Sequence, residues 1–179
     1  MRGGWKSIST AEISCFIDTG VFFAAYNKND AIHVDGTLLL LSSVIGWLGK
    51  PYTSTYVFDE TLTLAKARIG GREANELGEY ILASKKIMMV KVEDKEDILQ
   101  NAMEKFRRYS NVEGLSFTDC TTLSLQERLG IESLLSFDKN LKPFVSKLIG
   151  EGYHKGLPDE RKKLLAKVTK KLGIKLKLP

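Results

Sequence analysis

The feature that most restricts what this chain can fold into is a short β-branched run that stops on an aspartate and passes at once into a helical segment. Ile13 to Ile17 is apolar and rich in β-branched and aromatic residues, Asp18-Thr19-Gly20 ends it, and Val21 to Tyr26 reads as a helical turn or two. The alternation then returns. Ile87 to Val92 reads as a strand, followed by an amphipathic helix from Glu96 to Tyr109 with Ile98, Leu99, Ala102, Met103 and Phe106 on one face. Ser116 to Leu129 reads as another helix, closed by Gly130, and Ile131 to Phe137 forms a third strand that ends at Asp138. Strands separated by helices cannot close as hairpins. The expected fold is therefore α/β, a central parallel sheet with helices on both faces, three layers in all.

The segments between these are helical as well. Asp30 is placed to cap a helix running through Leu38 to Trp47, which Gly49-Lys50-Pro51 stops. Its Leu, Val and Ile fall on several faces, so it belongs in the core or at an interface, as a buried pairing surface or a groove for a partner. Phe58, Leu62, Ala65 and Ile69 make a stripe along Tyr56 to Ile69, and Gly70-Gly71 separate it from a second helix, Arg72 to Ala83. Near the end, Pro158-Asp159-Glu160 puts proline and acids where a helix start favours them. Leu164, Leu165, Val168 and Leu172 form that helix's apolar stripe, and Gly173 ends it.

Length and charge set the organisation. With 179 residues, 43% of them hydrophobic, the chain can bury one sizeable core. Of its 27 basic and 22 acidic residues, nine basic and two acidic lie between His154 and Pro179, which leaves 18 and 20 for the rest. We therefore divide the chain into a domain over 1–150 and a basic helical extension over 151–179. A basic end suits a polyanion or an acidic partner, although lysine-rich ends are also simply soluble. The longest nearly apolar stretch, Leu38 to Leu48, falls well short of the roughly 20 residues that span a bilayer, so no membrane role is expected. No apolar signal-peptide centre follows the charged start before Asp18, and a cytoplasmic location is the simplest expectation. Cys15 and Cys120 sit in apolar segments without a CxxC pair and read as buried thiols.

Four acids fall at the ends of elements. In a parallel sheet, ligands bind beyond the carboxyl ends of the strands, where Asp18 and Asp138 stand. Each also has a plain explanation as a cap or turn residue. Asp119 in Ser116-Phe117-Thr118-Asp119 fits a capping box. Glu60 is harder to dismiss. Its neighbour Asp59 shares a helical stripe with Tyr56, Thr63 and Lys66, whereas Glu60 lies near Val57, Leu64 and Ala67, where an unpaired carboxylate is costly. Carboxylates gathered in one crevice repel one another unless a divalent ion offsets their charge, and an all-oxygen set selects Mg²⁺ or Mn²⁺ over Zn²⁺. Gaps of 42, 59 and 19 residues cannot by themselves establish convergence.

Resemblance adds the link. Phe16-Ile-Asp-Thr-Gly-Val-Phe-Phe-Ala-Ala with Asp30 and His33 following, Thr53-Ser-Thr-Tyr-Val-Phe-Asp-Glu-Thr-Leu-Thr-Leu, Leu115-Ser-Phe-Thr-Asp-Cys and Leu135-Ser-Phe-Asp-Lys-Asn-Leu occur in this order. Together they resemble a PIN domain, in particular the ribonuclease toxins of the VapC type, over roughly residues 13 to 145. The resemblance implies a PIN-like α/β/α fold and an endoribonuclease that hydrolyses RNA with Mg²⁺ or Mn²⁺. It makes Asp18, Glu60, Asp119 and Asp138 the acidic pocket, both catalytic and metal-binding. Asp18 and Asp119 are then the core ligands, Glu60 holds a metal or its water, and Asp138 occupies a more variable, indirect fourth position. Thr19, Thr118 or Ser136 is the hydroxyl that orients them. A homodimer and an antitoxin protein are the implied partners, with a role in RNA processing as the alternative to a toxin. Gly20 departs from the family, which often has Ser or Asn there, and so does the long basic end.

Other chemistries find less support. His33 falls one turn into a helix and His154 in a glycine-rich connection, so neither predicts a histidine-pair ribonuclease. A DxD phosphatase motif fails because Gly20 stands two residues after Asp18. There is no GxxxxGK[ST], GxGxxG or GxSxG. The non-enzymic rival is a basic RNA- or partner-binding protein whose acids only cap helices.

Overall fold

The computed structural model describes residues 13–173. Five strands, β1 (Ser14–Ile17), β2 (Lys50–Ser54), β3 (Met88–Val90), β4 (Ser133–Leu135) and β5 (Lys147–Ile149), form one sheet in the order β3-β2-β1-β4-β5. Every neighbouring pair is parallel. Helices α1 (Thr19–Tyr26), α2 (His33–Val44), α3 (Thr55–Ile69), α4 (Gly71–Ala83), α5 (Glu96–Arg108), α6 (Phe117–Leu129), α7 (Tyr153–Gly156) and α8 (Asp159–Lys171) accompany it. The expected three-layer α/β/α architecture is thus the one observed. Among the described residues, no helix is long and apolar enough to cross a membrane.

Chain order places the functional edge. From β1 the sheet grows through β2 and β3 in one direction and through β4 and β5 in the other. The crevice between β1 and β4 is therefore the switch point at which α/β sheets bind ligands. Its register is fixed by Ile17 opposite Leu135 and by the Asp18 amide, which donates to the Leu135 carbonyl at 3.1 Å. The residues that leave the two strands, Asp18 and Ser136, consequently emerge side by side. Beneath them Cys15, Phe16, Ile17, Leu134 and Leu135 are fully buried, so the platform is rigid.

Two strands escaped the sequence reading. Gly49-Lys50-Pro51 was expected only to stop a helix, yet β2 begins at Lys50. Proline usually argues against an interior strand, but here pairing with β3 starts only at Tyr52, so the missing Pro51 N–H leaves no gap on that side. Gly49 makes this approach possible: its φ is +86°, and a Cβ there would lie 2.1 Å from the Ile13 carbonyl oxygen. β5 has only three residues, two of them apolar, too short to signal itself. Helix α2 also differs from expectation. It starts at His33 with Ile32 as its cap residue, while the Asp30 side chain accepts from the Ile32 amide at 3.0 Å in the preceding turn. It ends at Val44, so Trp47 lies in a turn.

The apolar face of α2 is covered by the chain itself. Leu38 packs with Leu157 and Leu165 in a second buried cluster that also touches Val34, Leu41, Trp47 and Tyr153. Asp35, on the same helix, accepts from the Gly152 and His154 amides, each at 2.8 Å, and meets His154 Nδ1 at 2.7 Å. The Arg161 guanidinium lies 4.8 Å from the centre of the Trp47 ring. The basic end is thus docked, and the face of α2 around Leu38 is not an open pairing surface.

Helices α1 and α2 cross very closely at Gly36, where a Cβ would come within 2.8 Å of both the Ala24 Cβ and the Ala25 amide nitrogen. Gly36→Ala should therefore destabilise the protein by about 1–3 kcal/mol through overpacking. Alanine's helix advantage of about 1 kcal/mol does not offset this, because the clash involves backbone. The urea midpoint measures it, and a midpoint equal to or above that of the parent would show that the crossing yields.

Candidate metal centre

Asp18 stands directly after β1 and has the backbone of a helix cap residue, with φ −91° and ψ 163°, but its side chain makes no capping bond to α1. The carboxylate turns across the sheet, where Ser136 Oγ donates to Oδ2 at 2.5 Å. Ser136 is itself completely buried, and its hydroxyl oxygen accepts from the Asp138 amide at 3.0 Å. This removes the plain explanation for Asp18. A residue that does not cap is held, nearly out of water, by a serine 118 positions away.

Asp119 does have the structural role expected of it. It is the third residue of α6, and its Oδ2 accepts from both the Ser116 amide and Ser116 Oγ at 2.7 Å, closing a capping box. Glu60 projects from α3, whose cap is Ser54, and its Oε2 accepts from Thr19 Oγ1 at 2.6 Å. Asp59 is exposed and Glu60 half-buried, as their helical positions predicted. Asp138 differs from the other three. It is half-exposed and caps the 3₁₀ turn Lys139–Phe144, with Oδ1 accepting from the Asn140 amide at 2.8 Å.

The electrostatics tie the four together. Burial is the main cause that pushes the Asp18 carboxyl up to about 7, partly offset by the Ser136 bond and reinforced by the charges of Asp119 and Glu60. Burial also raises Glu60, against the Thr19 bond and with the charge of Asp119. Asp119 is raised by burial, against its Ser116 bonds and with the charge of Asp138. Asp119 therefore stands at the centre of the repulsion. Among the described residues, none of the four forms an ion pair with a lysine, arginine or histidine.

A divalent cation fits this donor set. The oxygens are hard, the negative charge is uncompensated, and a hydroxyl or amide holds one oxygen of Asp18, Glu60 and Asp119. As the side chains stand, no three His, Cys, Asp or Glu groups among the described residues are gathered to hold one ion. Ligation by three carboxylates would thus take side-chain rotation about these hydroxyl contacts. Of the three hydroxyls first considered, Thr19 and Ser136 orient carboxylates, whereas for Thr118 the bond found is to its carbonyl, from Thr121 Oγ1. Ser116 supplies the third hydroxyl, and its signal was the capping-box spacing. At Gly20 a Cβ would make only ordinary contact with Phe137, 3.6 Å away, so glycine is not sterically required there.

The model of the PIN domain matches residues 15–144, a span that contains all four acids and the β1–β4 junction. The chain belongs to the PIN domain family. Within this family it is similar to a VapC ribonuclease of Archaeoglobus fulgidus, 28% identical over 162 residues, which are 90% of this chain and 99% of that protein. Among solved structures it is similar to the Mycobacterium tuberculosis VapC20, a toxin that cleaves the sarcin-ricin loop. There the TM-score is 0.63 at 28% identity, over 74% of this chain and 97% of that one. Two more distant structures share the fold. One is VapBC2 from Rickettsia felis bound to a promoter DNA fragment, with TM-score 0.54 and 11% identity over 76% of this chain and 98% of that chain. The other is a toxin–antitoxin complex from Klebsiella pneumoniae, with TM-score 0.52 and 13% identity over 75% and 96%.

A PIN domain with its acids raised in this way should show an unusual pH dependence. Because the folded Asp18 holds its proton up to about 7 while the unfolded chain releases it near 3.9, the folded state binds the extra proton between those values. That contribution is complete below about pH 4 and is lost as pH rises through 7; Glu60 and Asp119 shift in the same sense. In EDTA the protein should therefore lose up to a few kcal/mol of unfolding free energy between pH 5 and pH 8. Asp18→Asn should flatten that slope and raise stability at pH 8. Parallel denaturation curves decide it, and equal slopes for parent and variant would refute the assignment.

Proposed function

We propose that this PIN domain is a Mg²⁺- or Mn²⁺-dependent endoribonuclease and the toxin of a toxin–antitoxin module. The observation that carries the proposal is the set of Asp18, Glu60 and Asp119, raised in pKa at a sheet switch point, each held by a hydroxyl and none paired to a basic side chain. The ribonuclease and toxin descriptions of the two 28%-identical relatives support the substrate and the role. The two more distant complexes make an antitoxin protein the natural partner, and a homodimer is the assembly the family resemblance implies.

In this reading Asp18 and Asp119 are the principal ligands, Glu60 a third ligand or the holder of a coordinated water, and Asp138 an indirect contributor. When bound, a divalent ion in such a site offsets charge on the phosphodiester, eases deprotonation of water and stabilises the leaving oxygen. The chain's own residues do the rest. Ser136, Ser116 and Thr19 each hold one carboxylate by a hydroxyl contact, about which the side chains rotate to gather on an ion. Hydrolysis of this kind leaves a 5′-phosphate and a 3′-hydroxyl and does not use the 2′-hydroxyl. Preference for RNA must then come from strand shape and from contacts outside the acids. We assign residues 1–150 to the nuclease domain and 151–179 to an appendage, of which Leu157 and Leu165 pack on Leu38 of α2 and whose lysines can contribute phosphate contacts.

The test is digestion of labelled RNA with Mn²⁺, with EDTA, and with variants. Cleavage should require the metal, and Asp119→Asn should reduce it by roughly 100-fold or more. Ser136→Ala should lower metal affinity or activity by about 10- to 100-fold, as loss of an orienting partner does. Asp138→Asn, whose carboxylate is occupied with a cap, should cost less than either. Cleavage that persists in EDTA or in Asp119→Asn would overturn the proposal.

A further inference from the structure

Helix α5 runs antiparallel to α6. Arg128 pairs with Asp97 at 3.2 Å, Ser124 donates to Asn101 at 2.7 Å, and the Phe106 ring meets that of Phe117. The last turn of α5 therefore lies where α6 begins, at the end of the domain that carries Asp119. Ile98, Ala102 and Phe106 are spaced four apart and share one helical face. The first two are buried, yet Phe106 is 42% exposed. The helix thus runs past the support of the core and carries an aromatic ring out with it.

Phe106 does not stand alone. Its ring centre is 5.8 Å from that of Phe117 with the planes at 86°, and Phe117 in turn lies 5.8 Å from Tyr56 at 66°. Contacts of this edge-on kind hold a row of rings without stacking their faces together. The row leads to the acids. Tyr56 precedes Glu60 by one turn of α3, about 6 Å along its axis, and Phe117 stands two residues before Asp119. Next to Phe106, Arg107 and Arg108 are exposed and have no ion-pair partner among the described residues. A helix C-terminus favours cations, which accounts for their sign. It does not account for the aromatic row that joins them to the acidic helices. An exposed ring face flanked by unpaired guanidinium groups suits an unpaired nucleotide, whose base stacks and whose phosphate takes the cation. A duplex cannot use it, because its bases are already stacked inside.

We propose that Phe106, backed by Phe117 and Tyr56, stacks one unpaired base of the RNA beside the acidic crevice, while Arg107 and Arg108 hold phosphates of the same strand. The inference rests on the nuclease reading for its substrate and adds a base subsite to the acids. Every base has a π face, so this shelf favours an unpaired strand over a duplex and is indifferent to which base it meets.

The full-length chain and four variants test it on an unstructured RNA of about 12 nucleotides, long enough to cover such a site. Anisotropy in EDTA gives Kd, and cleavage with Mn²⁺ gives KM and kcat. Phe106→Ala and Phe106→Leu should each raise Kd and KM about 10-fold and change kcat by less than about twofold. Leucine keeps an apolar contact with Phe117 but has no planar face, whereas Phe106→Trp has one and should restore the parent values. The double variant Arg107→Gln, Arg108→Gln should flatten the slope of log Kd against log salt by about 1.4, the value for two phosphates on a single strand. For a fully paired RNA of the same length, Phe106→Ala should change Kd by less than about twofold. A Phe106→Leu protein that binds like the parent would overturn the proposal, since apolar packing would then suffice. So would a dimer that sedimentation finds in the parent but not in Phe106→Ala, the sign that a second copy covers the ring. Normal cleavage with Kd and KM equal in parent and Phe106→Ala removes the shelf and leaves the nuclease reading intact. A parent that cleaves nothing refutes the nuclease reading instead, and the Kd values in EDTA still decide the shelf.

Discussion

A carboxylate removed from water at the junction of two parallel strands is the constraint around which this molecule is arranged. Asp18 is only 7% exposed, and the bond from Ser136 lowers its cost without cancelling it. That bond exists because β1 and β4 are neighbours in register, so the residues just beyond Ile17 and Leu135 arrive together. Adjacency of β1 and β4 in turn requires the chain to build β2 and β3 on one side and return for β4 on the other. The topology and the charge problem are therefore one fact. A sheet with any other neighbour for β1 would leave Asp18 buried without its hydroxyl.

The acids divide by what they do for the fold. Asp138 spends an oxygen on a 3₁₀ cap, and Asp119 completes a capping box; both are stabilising at their own helix ends. Asp18 makes no such cap and Glu60 lies mid-helix, so the fold gains least from these two. Burial nevertheless raises both, and Thr19 couples them by following one in sequence while bonding the other in space. Such local cost, offset elsewhere by a dry core under β1 and β4, is the usual mark of a functional site.

How much of this was legible follows from the range of each signal. Strand–helix alternation and the Ser116–Asp119 box are written in residues a few positions apart, and they read correctly. The helical stripes did so only in part, since Leu164 and Leu172 of the last one are 48% and 60% exposed while Leu165 and Thr169 are buried. Asp59 and Glu60 were also separable, because a rotation of about 100° per residue sends neighbours to different environments. β2 was hidden because its Pro51 argues for a break, and only the late start of the β3 pairing reconciles proline with an interior strand. The end of α2 misled for a similar reason. Ile45 and Trp47 continue the apolar composition, but Gly46, with φ +88°, has already left the helix. The Ser136–Asp18 bond joins residues 118 apart, and nothing local announces it.

The basic end changes meaning once its packing is known. Read as composition it is a tail that seeks polyanions, but Leu157 and Leu165 are buried on Leu38, and Asp35 takes two backbone amides and a histidine from the segment that precedes α8. An aspartate so nearly enclosed would be expensive if those donors left, so separating the end from the body exposes apolar surface and strands a charge at once. The lysines of α8 are consequently presented on a fixed face rather than on a free chain. Whatever polyanion they meet is met at a set position relative to the acidic crevice, because both stand on the same sheet and its covering helices.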